Sequence, residues 1–329
     1  MSKHKKGHKS AGTANKTKNS LVKVVVKSDD VGEWIKPKTL DKFYIDEEAI
    51  FPSIVFEIKT EKPGPYKWSW VITWDGHVSG LHEKARGKKT KTFSAKGSFT
   101  QKEKSWDANC IERVYGGRLA VTVDAGDEKF KRTVLVTAKP PAIEKIKAYL
   151  VKNDATALQK LLAQESQFKH VINLDGEPVV AADNGYGVAQ LTHPAPTYSQ
   201  VWSWKENIDA AILLINDKKR IAKTWLKGHG KFDQDMLDTE TISLWNGGHY
   251  YEWKPKPEPG TWVRNSKILC DTKTGNMGWD MSLEQNKGKT EDELHERDNA
   301  EYRKGGKGQT ATHPWKYTGV CYADHILGK

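Results

Sequence analysis

The sequence predicts an α+β chain in two domains, a β-sandwich followed by a mainly α-helical domain. Three observations predict it. Apolar residues alternate with a period of two from about Phe51 to Ala138. Beyond that point they recur at three- and four-residue steps. Between the two regimes, Lys139-Pro140-Pro141 breaks the pattern. A length of 329 residues suits two domains, and such a chain buries its cores without a dense set of disulfide or metal staples.

The chain opens on residues 1 to 20 with six Lys, two His and no acidic side chain. With so little to bury, residues 1–30 read as a disordered basic tail. The formal charge is +11, which by itself suggests an anionic partner such as nucleic acid, a membrane surface or a wall polymer. Six of those charges lie in the tail, and no motif interleaves basic and aromatic residues, so nucleic acid is disfavoured. Hydrophobic residues at 37% and 13 Trp exclude a wholly disordered chain. No apolar run approaches the roughly 20 residues of a membrane span. Leu21 to Val26 is interrupted by Lys23 and followed by Lys27, Asp29 and Asp30, so no secretory signal is expected. Three cysteines, Cys110, Cys270 and Cys321, leave at least one unpaired, which fits assembly in a reducing cytosol.

Residues 31–140 form the expected β-sandwich. Its strands are Ile54 to Ile58, the alternation of Trp68, Trp70 and Ile72, Thr90 to Ser94, the alternation of Leu119, Val121 and Val123, and Thr133 to Thr137. Turn residues separate them at Pro63-Gly64-Pro65, Asp75-Gly76, Gly116-Gly117 and Ala125-Gly126-Asp127. Short strands at this spacing suggest an immunoglobulin-like arrangement. Trp68 and Trp70 share a strand face, which favours core packing over a carbohydrate-stacking role for Trp68, Trp70 and Trp74.

Helices follow. Ile143, Ile146, Tyr149 and Leu150 form one apolar stripe, and Leu158, Leu161, Leu162 and Phe168 a second. Residues 141–329 make the second domain, with an insert at 254–321. The insert begins with the Pro-rich stretch Lys254 to Gly260 and includes a charged segment, Glu291 to Arg303, that reads as a solvated helix. A lid over the cleft or a simple decoration are both open roles for it.

Four segments of this domain carry candidate chemistry: Gln164-Glu165-Ser166, Asn184 to Thr192, Trp204 to Ile208, and Ile242 to Gly248, with Tyr322 near the end. A carboxyl that holds its proton near neutral pH can act as an acid. Glu165 is the candidate, because apolar residues on its helix face would desolvate the carboxyl and raise its pKa. Gly185 and Gly187 permit a tight turn and close approach of the backbone to a ligand. Gln190 and Asn246 offer amides, Gly247 and Gly248 leave space beside Asn246, and Tyr322 can orient Glu165. Ser166 and Tyr186 flank these positions. Trp202, Trp204, Trp245, Tyr250 and Tyr251 are candidate stacking walls.

In their order, these segments resemble the soluble lytic transglycosylases, relatives of goose-type lysozyme. That family has Glu-Ser at a helix end, then Gly-Leu-Met-Gln, an Asn-Ile opening a later helix, Tyr-Asn-Ala-Gly, and a late Tyr. Here Gly187-Val188-Ala189-Gln190 and Trp245-Asn246-Gly247-Gly248 take the second and fourth places. The turn is one residue shorter than usual, Trp245 replaces Tyr, and the stretch before Tyr322 is long. The resemblance implies a lysozyme-like domain that cuts peptidoglycan between N-acetylmuramic acid and N-acetylglucosamine. Glu165 would be catalytic, with Ser166, Gly185, Tyr186, Gly187, Gln190, Trp245 to Gly248 and Tyr322 lining the substrate. A hydrolase would use a second carboxylate; Asp183 is best placed, with Asp175, Glu177 and Glu240 behind it. No cofactor is implied. His193, His229, His249 and His313 lack metal-ligand spacing, so no metal is expected.

A wall-cutting enzyme without an export signal implies an unusual route to its substrate. It would be made in the cytoplasm and act in the periplasm or wall of a target bacterium. Delivery as an antibacterial effector by a contractile, type VI-like machine is preferred over a phage endolysin or tail lysozyme. The partners implied are glycan strands, an immunity protein, and a secretion or tail component docked on the β domain. A non-catalytic wall-binding protein is the reading from another class.

Overall fold

The structure is a computed structural model that describes residues 29–79, 91–171, 175–303 and 310–328; most of the basic tail, and Thr90 of one expected strand, lie outside these. The fold is mixed α+β, as the two hydrophobic periods predict.

Eight strands form the first half: β1 (Trp34–Lys36), β2 (Lys42–Ile45), β3 (Val55–Ile58), β4 (Tyr66–Asp75), β5 (Thr92–Gln101), β6 (Ser105–Asp107), β7 (Gly117–Ala125) and β8 (Glu128–Ala138). A five-stranded sheet has the order β2-β8-β7-β4-β5, and a three-stranded sheet the order β1-β3-β6. β2 runs parallel to β8 and every other pair is antiparallel. Alternation in β4 buries Tyr66, Trp68, Ile72 and Trp74. Trp70 is only half-buried, lying over Gly97 of β5, where a Cβ would meet its indole at 2.6 Å. Both sheets contribute to one core: Trp34 and Phe56 from the small sheet, Trp68 and Phe130 from the large one. Trp34 meets Phe56, Trp68 and Phe130 edge-on at 6.0–6.4 Å.

Secondary structure changes at the expected place, between Ala138 and Ile143. The core does not divide there. Val171, Val180, Tyr186, Tyr198, Val201 and Trp202 join the core of the β-rich half. Trp202 packs edge-on against Trp74 at 5.4 Å. It lies so close over Gly116 that a Cβ there would meet its ring at 2.1 Å. The two halves are thus bound by buried aromatic surface, each such ring contributing about 2–3 kcal/mol on burial.

The second half contains α1 (Ile143–Lys152), α2 (Leu158–Ser166), α3 (Tyr198–Trp202), α4 (Trp204–Lys227) and α5 (Gln234–Trp245). A capping box at Thr197 starts α3, and Ser203 caps α4 by accepting from Glu206 N–H at 3.2 Å. At 24 residues α4 is about 36 Å long. Its first turns enter a core with α1 and α2, and its last turns enter another with α5, Trp253 and Trp262.

The described residues of the region read as an insert form regular elements. β9 (Tyr251–Lys254) and β10 (Thr261–Arg264) form a hairpin around the Pro-rich stretch. β11 (Ile268–Cys270), β12 (Met277–Asp280) and β13 (Trp315–Tyr317) form a sheet in the order β11-β12-β13. The charged segment is a helix, α6 (Glu291–Arg303), with the predicted bounds, but one face is not solvated. Leu294 and Asp298, four residues apart, are fully buried, and Asp298 accepts from Trp279 Nε1 at 2.7 Å. Helix α7 (Gly319–Leu327) closes the chain. Cys270 of β11 is disulfide-bonded to Cys321 of α7, leaving Cys110 as the free thiol, exposed to solvent. A count of three cysteines leaves such a pair open without choosing it. Among the described residues no helix is long and apolar enough to cross a membrane.

Candidate active site

The site is assembled from the ends of three helices. Glu165 lies at the last turn of α2, one residue before its end. The chain then turns out of the helix through two left-handed residues, Gln167 and Phe168 (φ +56° and +60°). Ser166 is fully buried, and its hydroxyl donates to Leu162 O at 3.2 Å and Val188 O at 2.6 Å. This fastens the end of α2 to the glycine turn at 185–191.

That turn is built for close approach. Gly187 has φ +71°, and a Cβ on it would meet Asn207 Nδ2 at 2.5 Å and His170 Cε1 at 2.8 Å. Asn207, fully buried in α4, donates to Tyr186 O and Gln200 O, each at 3.0 Å, and accepts from Ala189 N–H at 2.9 Å. His170 Nδ1 accepts from Val188 N–H at 3.2 Å. Burial pushes its imidazole down to about 4, so the ring is neutral at ordinary pH. Gln190 donates to Gly187 O at 2.7 Å and closes the turn on itself.

Glu165 Oε1 accepts two hydrogen bonds from distant parts of the chain. Tyr322 of α7 donates its O–H at 2.5 Å, and Trp245 at the end of α5 donates Nε1–H at 3.2 Å. Glu165 keeps a partial opening to solvent. Burial raises its pKa above the ordinary carboxylate range and the charge of Asp183 pushes the same way, while the Tyr322 and Trp245 donors oppose them. The Tyr322 phenol is itself pushed far up by burial and by Glu165, so it stays a donor.

The Trp245 segment has its own fixture. Glu240 is fully buried and accepts from Tyr250 and Tyr251 N–H at 2.9 and 3.0 Å, with His249 Nδ1 at 2.5 Å. Ser243 Oγ donates to Gly248 O at 2.9 Å. Asn246 caps α5 and is half-buried. Gly247 and Gly248 are exposed, with φ +84° and +129° and no atom within 4 Å of a Cβ on either.

The structure therefore brings Glu165, Trp245 and Tyr322 together, with Asp183 within electrostatic reach. Asp183 is exposed, and its Oδ1 accepts from Gly185 N–H at 3.2 Å. Other candidates fall elsewhere. Ser166, Tyr186 and Gly187 are buried and frame the turn rather than face solvent; Tyr186 packs on Phe93 at 5.4 Å. Gly185 is buried beside Gln190. Trp202, Trp204 and Tyr250 are core residues, so they form no stacking wall. Glu240 is committed to the turn after α5, and Glu177 pairs with His77. Sequence reasoning missed His170 and the Cys270–Cys321 bond. Their only signals are a polar side chain beside the candidate motif, and a cysteine directly before Tyr322.

Chemically, a carboxyl whose proton is held by burial, yet which two donors stabilise once ionised, can both give and take a proton. No protein-family model, curated protein or solved structure matches this chain.

Proposed function

We propose that the protein is a peptidoglycan-cleaving glycosidase of the lytic transglycosylase kind, with Glu165 as acid and then base. The observation that carries this reading is the carboxyl of Glu165, raised in pKa by burial and gripped by Tyr322 and Trp245. On this reading the helices around Glu165 form a lysozyme-like domain, and the two sheets of the first half an immunoglobulin-like sandwich.

Glu165 donates its proton to the glycosidic oxygen between N-acetylmuramic acid and N-acetylglucosamine as that bond breaks. The carboxylate then takes the proton of the muramic C6 hydroxyl, whose oxygen bonds to C1 and leaves a 1,6-anhydro end. Asp183 acts through its charge. As a hydrolase, the same site would use Asp183 to position water. The exposed Gly247 and Gly248 beside Trp245 leave room for a sugar chain along the site. The Cys270–Cys321 bond suits an oxidising place of action such as a periplasm or wall. An antibacterial effector with a cognate immunity protein fits that setting, its β-rich half docking on the delivery apparatus.

Digesting purified peptidoglycan with the protein and with Glu165→Gln, and weighing the muropeptides, tests the proposal. Anhydro-muropeptides released only by the unsubstituted protein are expected. Reducing ends would make it a hydrolase, and no release would remove the enzyme reading.

A further inference from the structure

Away from Glu165, three ligand-type side chains converge where β4 leaves its sheet. The ligand atoms of His77, Asp175 and Glu177 all lie within 4.8 Å of one another. We propose that this trio binds a divalent transition cation of the Zn²⁺ class, clamping the end of β4 to the loop that leads to Asp183.

Both the geometry and the chemistry of the site argue for it. His77 Nε2 lies 3.1 Å from Glu177 Oε2. Donor atoms on neighbouring corners of a tetrahedral shell with bonds of about 2.1 Å stand about 3.4 Å apart, so this edge needs to open only slightly. His77 Nδ1 lies 3.3 Å from the Asp75 carbonyl. A proton on Nδ1 directed at that carbonyl leaves Nε2 as the ligand, the usual second contact of a metal-bound histidine. The donor set, one imidazole and two carboxylates, suits Zn²⁺ or Mn²⁺ better than Ca²⁺.

The backbone holds both ligand-bearing segments. Ser79 N–H donates to Val180 O at 2.9 Å, and Val180 N–H donates to Ser79 Oγ at 3.3 Å. Gly176, between the two acids, has φ +77° and accepts from Ala138 N–H at 2.8 Å. A Cβ there would meet Ala138 O at 2.8 Å. The loop is thus fixed on the end of β8 and beside the end of β4, so cation binding would require little ordering of the chain. The exposed Asp175 carboxylate and the half-buried Glu177 carboxylate repel, and a cation relieves that repulsion. His77 is separated from Asp175 and Glu177 by nearly 100 residues, so spacing alone does not mark it as a ligand. The inference is independent of the glycosidase reading.

The test uses the full chain, stripped with chelator and titrated with Zn²⁺ alone by calorimetry. One saturable equivalent is expected, together with a rise of about 5 °C in the unfolding midpoint at saturating Zn²⁺. His77→Ala, Asp175→Asn and Glu177→Gln should each weaken binding at least about 10-fold, and their circular dichroism without metal should match the parent. Absence of saturable binding overturns the proposal. So does binding that all three variants retain, which would place the cation elsewhere, for instance on His4 and His8 of the tail. An unfolding midpoint that is identical with and without Zn²⁺ overturns it as well.

Discussion

Tyr322 donates its hydroxyl to Oε1 of Glu165 across 157 residues of sequence, at 2.5 Å. That hydroxyl stabilises the ionised carboxylate and so lowers a pKa that burial raises. Tyr322→Phe removes it. The Glu165 pKa should rise, moving the alkaline limb of the pH–rate profile upward. The rate at the optimum should fall about 10- to 100-fold, the worth of one charge-assisted bond of roughly 1.5–3 kcal/mol. A profile that overlays the parent would show that Tyr322 is only a packing residue.

Asp183 works in the opposite sense, since its charge raises the Glu165 pKa. Asp183→Asn should move the alkaline limb downward. Because Asp183 is exposed and is assigned no proton transfer, the rate should fall less than about 10-fold, with anhydro products unchanged. A loss of 10³ or more would make Asp183 the base of a hydrolase.

The parts of this site legible in the sequence were those whose chemistry is local. Glu165 followed an apolar helix stripe, Gly187 sat in a turn, and Trp245-Asn246-Gly247-Gly248 ended a helix. The strands and the change at Ala138 were legible because period two and period 3.6 differ within a few residues. What stayed hidden depends on distant pairing. Ser166 gave no sign that Val188 O would take its hydroxyl, nor Trp202 that it would cross into the β-rich core against Trp74. The charged look of Glu291 to Arg303 hid a buried face, because two residues, Leu294 and Asp298, are too few to dominate a helical average. Three cysteines allow three pairings, and only the fold chooses Cys270 with Cys321.

That disulfide immediately precedes Tyr322 and ties α7 to β11. It closes a loop of 51 residues, for which chain entropy gives about 4 kcal/mol. Reduction, or Cys270→Ser with Cys321→Ser, should lower stability by about 2–4 kcal/mol in urea unfolding. Cleavage should fall with it, as α7 loosens its hold on Glu165. The double variant should be indifferent to reductant. Full activity of the reduced protein would show that packing alone holds α7.

Gly187 and Gly248 separate two costs of adding a methyl group. Both have positive φ, but a Cβ on Gly187 strikes Asn207 Nδ2 at 2.5 Å, while one on Gly248 meets nothing within 4 Å. Gly248→Ala should cost about 1 kcal/mol, from backbone strain alone. Gly187→Ala should cost about 3 kcal/mol or more, because it also displaces the amide that binds Tyr186, Gln200 and Ala189. Equal midpoint shifts in urea would mean that the turn relaxes away from Asn207.

Glu165 itself should trade stability for chemistry. Its folded pKa lies above the unfolded value, so the folded state binds its proton more tightly than the unfolded chain does. The contribution from this group is then complete below the unfolded pKa and is lost as pH rises through the folded one. Glu165→Gln, which cannot ionise, escapes that loss. It should abolish cleavage, raise the unfolding midpoint relative to the parent at pH 8, and lose that advantage near pH 4, where the parent carboxyl is protonated. Melting curves of the two proteins across this range decide it. A gain that is constant with pH would mean that the carboxyl is not held above its ordinary range, and the acid role would lose its physical basis.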